Sequence, residues 1–284
     1  MEAFLLECVE NTENHRELIA VYNELGGLYR GTSRFTQSLN AFQKAKKLCA
    51  EELGENDAEY ATILNNMAGT YRLTKDYNQA IEAFQKAADI YRQTGNESVY
   101  AYASVLNNLS LVYREVNQID RAIAYLEQAL ALIETMPEYR QEAAITYNNL
   151  TELYCAVGDR NKAMLCLNRA LQEYEKCPEE ERAHYAAVLN SLAGFLYAEG
   201  DYHRALALYH QSAKYTKRFF GENMEYGITC QNMRWAYEQL GDREGAVAAL
   251  TRAERVYEKL LGAEHERTRS VSDELTRMRR VSGT

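Results

Sequence analysis

The fold is decided by a stretch that reads Leu64-Asn65-Asn66-Met67-Ala68-Gly69-Thr70-Tyr71-Arg72, because variants of it return along the chain. We number each copy from the first residue of the Asn-Asn pair, which is offset zero. The residues at offset zero are Asn23, Asn65, Asn107, Asn148, Asn190 and Gln231. Successive copies lie 42, 42, 41, 42 and 41 residues apart. The 284-residue chain therefore contains six copies of one unit.

Other positions repeat in the same register. Offset two is Leu or Met in every unit, and offset six is Tyr except at Leu196. Offsets fifteen and twenty-two hold only Ala or Ser, and residues seven apart lie on one face of a helix. Small side chains there let a second helix approach closely. A period of this length without a β-rich segment indicates a helical solenoid, in which each unit buries its apolar face by stacking on its neighbours.

The combination of a large apolar residue, a small residue, Tyr and Ala resembles the tetratricopeptide repeat over about residues 15–265. The unit is longer than the usual form of about 34 residues and is similar to the extended form of kinesin light chains. Segments Glu52–Asn56, Phe220–Asn223 and Leu261–His265 are similar to the loop after the second helix in that form, although the His-Pro that often closes it is missing. The resemblance implies an all-α, right-handed superhelical solenoid of about six helix-turn-helix units plus a C-terminal capping helix.

The register also predicts the domain organisation and the helix ends. We expect a single solenoid over residues 1–284, with an N-terminal cap at 1–14, six repeats at 15–265, and a capping helix and tail at 266–284. Each first helix should run from about seven residues before offset zero to about nine after it. A turn between the two helices is expected in each unit, with Gly ending the first helix and Asp capping the second in the last three. The turns are Ser33-Arg34, Lys75-Asp76, Asn117-Gln118, Gly158-Asp159, Gly200-Asp201 and Gly241-Asp242. Pro137 and Pro178, the two prolines of the chain, fall where Gly ends the second helix in other units.

Composition and charge argue against several classes of protein. The net charge of −9 and a pI near 5.3 argue against a general binder of nucleic acid or of an anionic membrane. No apolar stretch approaches the roughly 20 residues that span a bilayer, and Met1–Glu7 lacks the basic start of a secretory signal. Six cysteines without a Cys-x-x-Cys pair suit a reducing cytoplasm. We therefore expect a cytoplasmic protein that binds neither nucleic acid nor membrane.

Residues that would carry catalysis or hold a metal do not form a recognisable pattern. His203 and His210 are seven residues apart, roughly 10 Å along a helix, which is too far to chelate one metal. Phosphate-binding loops, nucleophile elbows and His-Glu-x-x-His patterns are missing. The sequence thus predicts a protein that is not an enzyme and that has no cofactor or metal.

The candidate functional residues lie on the side of the first helix that faces away from the predicted core. At about 100° per residue, offsets minus three, zero, one, four, seven and eight share this side, which lines the concave groove in the resembled family. We call it the first-helix face. Its asparagines cost roughly 0.5 kcal/mol each inside a helix, so something must compensate. Either they bond one another between repeats, or they bind the backbone of an extended peptide. The candidates are Asn23, Arg30, Asn65, Asn66, Arg72, Asn107, Asn108, Arg114, Asn148, Asn149, Asn190 and Asn232.

Three further features of this face bear on ligand binding. The row of arginines at offset seven suits a carboxylate or an acidic side chain, or else each arginine pairs with a nearby acid such as Glu115 beside Arg114. Glycines beside the amides, at Gly27, Gly69 and Gly194, clear space for a ligand. Trp235 is either a binding anchor or a residue packed against the capping helix.

The functional prediction is a protein–protein interaction scaffold that binds an extended segment of a protein or peptide in the groove, with an acidic segment among the candidates. The alternative is a peptide-sensing regulator, or the regulatory fragment of a larger signalling protein. Bacterial receptors of that kind resemble this solenoid but carry an N-terminal output module, whereas only about twelve residues precede the repeats here. The sequence does not predict the oligomeric state.

Overall fold

The computed structural model describes residues 1–179 and 184–280. Part of the predicted fifth repeat, residues 180–183, and the predicted tail, residues 281–284, lie outside the described residues. The described ranges contain α-helices and two short 3-10 turns, without a β-strand. The helices are α1 (Glu2–Asn11), α2 (His15–Gly31), α3 (Phe35–Glu52), α4 (Ala58–Leu73), α5 (Tyr77–Thr94), α6 (Val99–Glu115), α7 (Ile119–Ile133), α8 (Arg140–Ala156), α9 (Arg160–Lys176), α10 (Tyr185–Ala198), α11 (Tyr202–Phe220), α12 (Met224–Gln239), α13 (Arg243–Leu261) and α14 (Glu266–Arg280).

The helices form two compact units. The first unit, Met1–Asp159, contains α1 to α8, with helix hairpins α2–α3, α4–α5 and α6–α7. The second unit, Arg160–Thr284, contains α9 to α14, with hairpins α10–α11 and α12–α13. In both units each hairpin packs on the next one along the chain, and α14 packs on α13. The chain is therefore an all-α solenoid, as the period of the sequence predicts.

Small residues allow the two helices of each hairpin to approach closely. Every residue at offsets fifteen and twenty-two is at most 1% exposed. These residues are Ser38, Ala45, Ala80, Ala87, Ala122, Ala129, Ala163, Ala170, Ala205, Ser212, Ala246 and Ala253. A large residue at offset nineteen, such as Phe42 or Phe84, fills the space between them and is also buried. The predicted core is confirmed, because the same steric requirement recurs in each repeat.

A left-handed residue ends every first helix at offset ten. The residues with positive φ are Ser33, Lys75, Asn117, Gly158, Gly200 and Gly241. The following amide donates to the carbonyl oxygen five residues earlier, as Asp76 does to Tyr71 at 2.9 Å, which is the Schellman arrangement. Asp76 then caps the second helix through its side chain, and Asp201 and Asp242 do the same. The Gly-Asp turns are confirmed, and the first three repeats achieve the same geometry without glycine.

Lys75→Gly is expected to stabilise the protein by about 0.5–1 kcal/mol. Lys75 is exposed and has a φ of 63°, where a side chain with a Cβ costs roughly 1–2 kcal/mol; glycine removes that cost, although its greater freedom in the unfolded chain offsets part of the gain. A urea titration of the variant beside wild type measures the change. Lys75→Ala, which removes the charge but keeps the Cβ, should remain within about 0.5 kcal/mol of wild type. Equal stabilisation by both variants would contradict the argument.

Candidate functional site

Asparagines at offsets zero and one of successive first helices bond one another. In each pair, the Nδ2 of an offset-one Asn donates to the Oδ1 of the offset-zero Asn one repeat earlier. The pairs are Asn66 to Asn23 at 3.0 Å, Asn108 to Asn65 at 3.0 Å, and Asn232 to Asn190 at 3.4 Å. We call this set of pairs the amide ladder. It fixes the register between neighbouring first helices and accounts for part of the cost of asparagine within a helix.

The amide ladder is interrupted between α6 and α8. Asn107 donates to the carbonyl oxygen of Ala103 and exchanges hydrogen bonds with the hydroxyl of Thr146, at 3.1–3.2 Å. Asn107 is therefore not the partner of Asn149. Within the described ranges, the side-chain amides of Asn148 and Asn149 make no hydrogen bond, although both residues are partly buried. These two amides are available to a ligand.

The paired amides also keep unused groups. A side-chain amide has two N–H donors and an oxygen with two lone pairs, and each ladder bond uses one donor and one lone pair. Among the described residues, the Nδ2 groups of Asn23 and Asn65 and the Oδ1 atoms of Asn66 and Asn108 have no other partner. All four side chains are partly buried, so they are not part of the packed interior. Bonding between repeats and binding of a peptide can therefore coexist on this face.

The three arginines at offset seven each contact the following repeat. The contacts are Arg30 Nη1 to the carbonyl oxygen of Asn66 at 3.1 Å, Arg72 Nη1 to Glu115 Oε1 at 2.6 Å, and Arg114 Nη1 to Glu152 Oε2 at 2.6 Å. Glu115 thus pairs with Arg72, and not with Arg114, its neighbour in sequence. Arg30 makes no ion pair with a described carboxylate. Burial, and then the charge of Arg72, lower the pKa of Arg30. Of these three arginines, Arg30 is the one that an acidic ligand could bind without displacing a carboxylate of the protein.

The three glycines beside the amides differ in the space that surrounds them. A Cβ at Gly69 would lie 2.7 Å from Nη1 of Arg30, so this glycine makes room for a side chain of the protein and not for a ligand. A Cβ at Gly27 would have no described atom within 4 Å, and one at Gly194 would reach only the Tyr209 hydroxyl, at 3.7 Å. The interpretation of Gly69 as ligand space is therefore wrong, whereas Gly27 does open the surface.

Trp235 lies on the first-helix face and is 48% exposed. The guanidinium of Arg234 stacks over its ring at 3.5 Å, and Arg234 itself is 5% exposed and pairs with Glu274 of α14. Arg234, and not the tryptophan, therefore makes the buried contact with the predicted capping helix. Half of the Trp235 ring stays accessible, as a binding anchor requires.

Two small recesses, one in each unit, lie between successive first helices. The recess between α6 and α8 and the recess between α10 and α12 each measure about 160 Å³. Both are lined by an Asn at offset zero and by a Glu and a Thr from the next first helix: Asn107, Glu142 and Thr146, and Asn190, Glu225 and Thr229. Sequence analysis missed these recesses. The only signal was the recurrence of Glu and Thr four residues apart.

On the opposite side of the first helices, the tyrosine at offset six bonds the second helix of the preceding repeat. The bonds are Gln85 Nε2 to Tyr113 Oη at 3.3 Å, Tyr154 Oη to Glu127 Oε1 at 2.6 Å, and His210 Nε2 with Tyr237 Oη at 2.7 Å. Each bond links consecutive repeats of one unit, as the amide ladder does on the first-helix face. The tyrosines are thus structural, and we assign them no ligand.

The described residues form neither a metal-binding cluster nor a membrane-spanning helix. No group of three or more His, Cys, Asp or Glu side chains is placed to hold a metal ion in residues 1–179 and 184–280. None of the helices in the same ranges combines the length and the apolar character needed to cross a bilayer.

Comparison with known proteins agrees with the geometry. The tetratricopeptide repeat profile matches residues 17–93, 59–135, 101–176 and 184–259. Among solved structures, the fold is similar to BtubC (BKLC) from P. vanneervenii, with a TM-score of 0.68, 17% identity, and coverage of 82% of this chain and 92% of that one. It is also similar to pilF of Pseudomonas aeruginosa, with a TM-score of 0.62, 18% identity, and coverage of 92% and 99%.

A third similar structure is aspartyl phosphate phosphatase F from Bacillus subtilis, with a TM-score of 0.64 and 15% identity. The match covers 88% of this chain and 62% of that one. No curated protein sequence matches the chain. At these identities, the three structures support the fold alone.

Proposed function

The chain belongs to the tetratricopeptide repeat family, whose members mediate protein–protein interaction, and we propose that it is a cytoplasmic, non-enzymatic scaffold. Its ligand is an extended segment of a partner protein, which binds on the first-helix face. The observation that carries the proposal is the set of unused amide groups beside the amide ladder. An extended backbone presents N–H and C=O groups in alternation, so a surface that binds it needs both acceptors and donors.

The unused groups supply both kinds of partner. Oδ1 of Asn66 and Oδ1 of Asn108 can accept from peptide N–H groups, while Nδ2 of Asn23 and Nδ2 of Asn65 can donate to peptide carbonyl oxygens. Because the ladder bonds already orient these amides, a ligand has less side-chain entropy to freeze when it binds. The amide ladder therefore supports the binding proposal by preorganising the surface.

An acidic residue of the segment would bind beside Arg30. Its guanidinium has no carboxylate partner in the described chain, whereas an acid at Arg72 or Arg114 would have to displace Glu115 or Glu152. A charge-assisted hydrogen bond to a partly buried arginine is among the stronger polar contacts in proteins. This placement restricts the acidic preference to one end of the first unit.

Asn148→Ala combined with Asn149→Ala is expected to weaken binding of the partner by about tenfold or more without lowering stability, since alanine recovers roughly 0.5 kcal/mol of helix propensity at each position. Neither amide bonds a described residue, so a loss of affinity would report contacts with the ligand. Two hydrogen bonds at about 0.5–1.5 kcal/mol each correspond to such a factor. We would identify a partner by pull-down, map its segment with overlapping synthetic peptides, and measure affinity by fluorescence anisotropy with thermal unfolding alongside.

The matched control makes the same chemical change elsewhere. Asn78 and Asn161 are exposed asparagines on α5 and α9, which are second helices, and Asn78→Ala with Asn161→Ala should bind with wild-type affinity. If both double variants lose affinity equally, or if neither does, the segment does not bind at these amides. Preference for a short free peptide over any segment of a larger protein would instead favour the peptide-sensing regulator.

The ladder asparagines should behave differently from Asn148 and Asn149. Asn66→Ala removes the donor to Asn23, and we expect a loss of about 0.5–1.5 kcal/mol of stability. A double-mutant cycle with Asn23→Ala, read by urea titration, isolates the pair. A coupling free energy near zero would show that the pair contributes nothing to the register between repeats.

A further inference from the structure

The recess between α10 and α12 contains a buried hydroxyl without a partner. Thr216, from α11, is fully buried, and its Oγ1 makes no hydrogen bond with any described residue. Two other hydroxyls of the recess are satisfied by backbone: Ser212 donates to the carbonyl oxygen of Ala186 at 2.8 Å, and Thr229 donates to that of Glu225 at 2.9 Å. A buried polar group left unpaired costs about 1–3 kcal/mol, so an unpaired hydroxyl in a recess indicates a missing partner.

The other groups of the recess define the chemistry of that partner. The Glu225 carboxylate is exposed and makes no ion pair with a described Lys or Arg. Asn190 contributes an amide oxygen that accepts only the long 3.4 Å bond of the amide ladder. Ala187 and Ile228 form apolar wall. The recess therefore offers oxygen acceptors, one of them negatively charged, beside apolar surface.

We propose that this recess binds a lysine side chain of the segment recognised on the first-helix face. This inference rests on the proposed function and specifies one residue of the partner. An ammonium group has three donors and no acceptor, which matches the Glu225 carboxylate and Asn190 Oδ1 at the open recess, and Thr216 Oγ1 behind its wall, which a small shift of the lining side chains would uncover. The methylene stem matches the wall of Ile228. A volume of about 160 Å³ accommodates one side chain of this length.

The corresponding recess of the first unit serves as an internal comparison. It has the same volume and the same Asn, Glu and Thr positions, but Ile133 stands where the second unit has Thr216. Ile133 is 1% exposed and has no hydroxyl to pair. The recess between α6 and α8 should therefore bind lysine more weakly than the recess between α10 and α12.

The test titrates the whole protein with N-acetyl-lysine N-methylamide and, separately, with the norleucine analogue, which lacks the ammonium group. Methyl NMR resonances of Thr216, Ala187 and Ile228 report the second-unit recess, and those of Ile133 and Ile145 report the first. We expect a saturable shift with the lysine probe in the second unit alone. Thr216→Val, which keeps the shape and removes the hydroxyl, and Glu225→Gln should each weaken this binding by about three- to tenfold.

Three results would overturn the proposal: equal shifts with the two probes, equal affinity in both recesses, or unchanged lysine affinity in Thr216→Val. The last result would mean that water alone satisfies the hydroxyl. Thr216→Val should fold at least as well as wild type, because it removes an unpaired buried group, and the exposed Glu225 provides a second variant that does not disturb the core.

The outcomes for the recess and for the scaffold are separable. A partner segment that needs Asn148 and Asn149 but binds Thr216→Val with wild-type affinity would reject the lysine recess alone. Binding of the lysine probe without capture of any segment would reject the scaffold and leave the recess standing.

Discussion

Glu274→Ala is expected to lower the free energy of unfolding by about 3 kcal/mol, because it breaks a buried ion pair. Glu274 lies on α14 and pairs with Arg234 of α12, whose side chain is 7% exposed. Burial lowers the pKa of Arg234, which shows how poorly its charge is solvated. Two of its nitrogens, Nε and Nη1, have no hydrogen-bond partner among the described residues. Removal of Glu274 leaves a buried charge that Glu238, one turn along α12, compensates only partly.

A graded set of variants tests this explanation. Glu238 contacts Arg234 at 3.3 Å but is 34% exposed, so Glu238→Ala should cost less than about 1 kcal/mol. The double variant Arg234→Met with Glu274→Met should recover most of the stability lost in Glu274→Ala, because apolar residues of similar size often replace a buried ion pair without loss. If the double variant is less stable than Glu274→Ala, packing rather than charge dominates the site.

The fluorescence of Trp235 reports unfolding in the immediate surroundings of Arg234. It is the only tryptophan of the chain, and its ring lies under the Arg234 guanidinium at 3.5 Å. A urea titration followed by its fluorescence therefore reports the environment that the variants change. Detachment of α14 ahead of the other helices would appear as a fluorescence transition at lower urea than the loss of helical circular dichroism. Coincident transitions in Glu274→Ala would show that α14 unfolds together with α12.

The sequence predicts the helices and the core because the same pattern of small and large apolar residues recurs in each repeat. Alanine or serine at offsets fifteen and twenty-two is needed wherever two helices approach closely, and six copies make the pattern unmistakable. The repeat register predicts all six turns, and the structure has a left-handed residue in each. Glycine, and to a lesser degree Asn117, favours that conformation, whereas Lys75 adopts it without a preference of its own.

Contacts between repeats were harder to predict than contacts within them. Arg72 pairs with Glu115, which is 43 residues away, although Glu115 directly follows Arg114 in the chain. The choice depends on how far one first helix is displaced along its neighbour, and no single-sequence pattern encodes that displacement. For the same reason, the sequence could not decide whether the asparagines bond one another or a ligand. The partner of each amide depends on the spacing of the first helices.

At offset three, the kind of side chain that fits depends on the helix packed against it. This position is occupied by small residues in the first five repeats and by Arg234 in the sixth. All five small residues are buried: Gly26, and Ala68, Ser110, Thr151 and Ala193, which are at most 3% exposed. In the sixth repeat the next helix is α14, which packs Val271 and Leu275 into the core and places Glu274 against Arg234. The same position thus holds a small side chain in five repeats and a large, ion-paired side chain in the sixth.

Gly26→Ala is expected to destabilise the protein by about 3 kcal/mol, because the core has no space for the added methyl group. A Cβ at Gly26 would lie 2.5–2.7 Å from three ring atoms of Phe42, and Phe42 is fully buried. The backbone is also restrained, because the buried Ser38 hydroxyl donates to the Gly26 carbonyl oxygen at 2.8 Å and contacts Thr70 at 3.0 Å. Overpacking of a rigid core costs typically 1–3 kcal/mol or more, which exceeds the gain in helix propensity.

The neighbouring glycine provides the control, since Gly27→Ala makes the same change one residue later in the same helix. A Cβ there meets no described atom within 4 Å, so we expect the helix propensity of alanine to stabilise the protein by up to about 1 kcal/mol. Phe42→Leu in the Gly26→Ala background should restore part of the loss, because it removes the atoms that clash. If Gly26→Ala and Gly27→Ala change the urea midpoint in the same direction, helix propensity and not the Phe42 ring determines both effects. The opposite signs predicted for adjacent residues make this pair a direct test of how closely the helices of the first hairpin are packed.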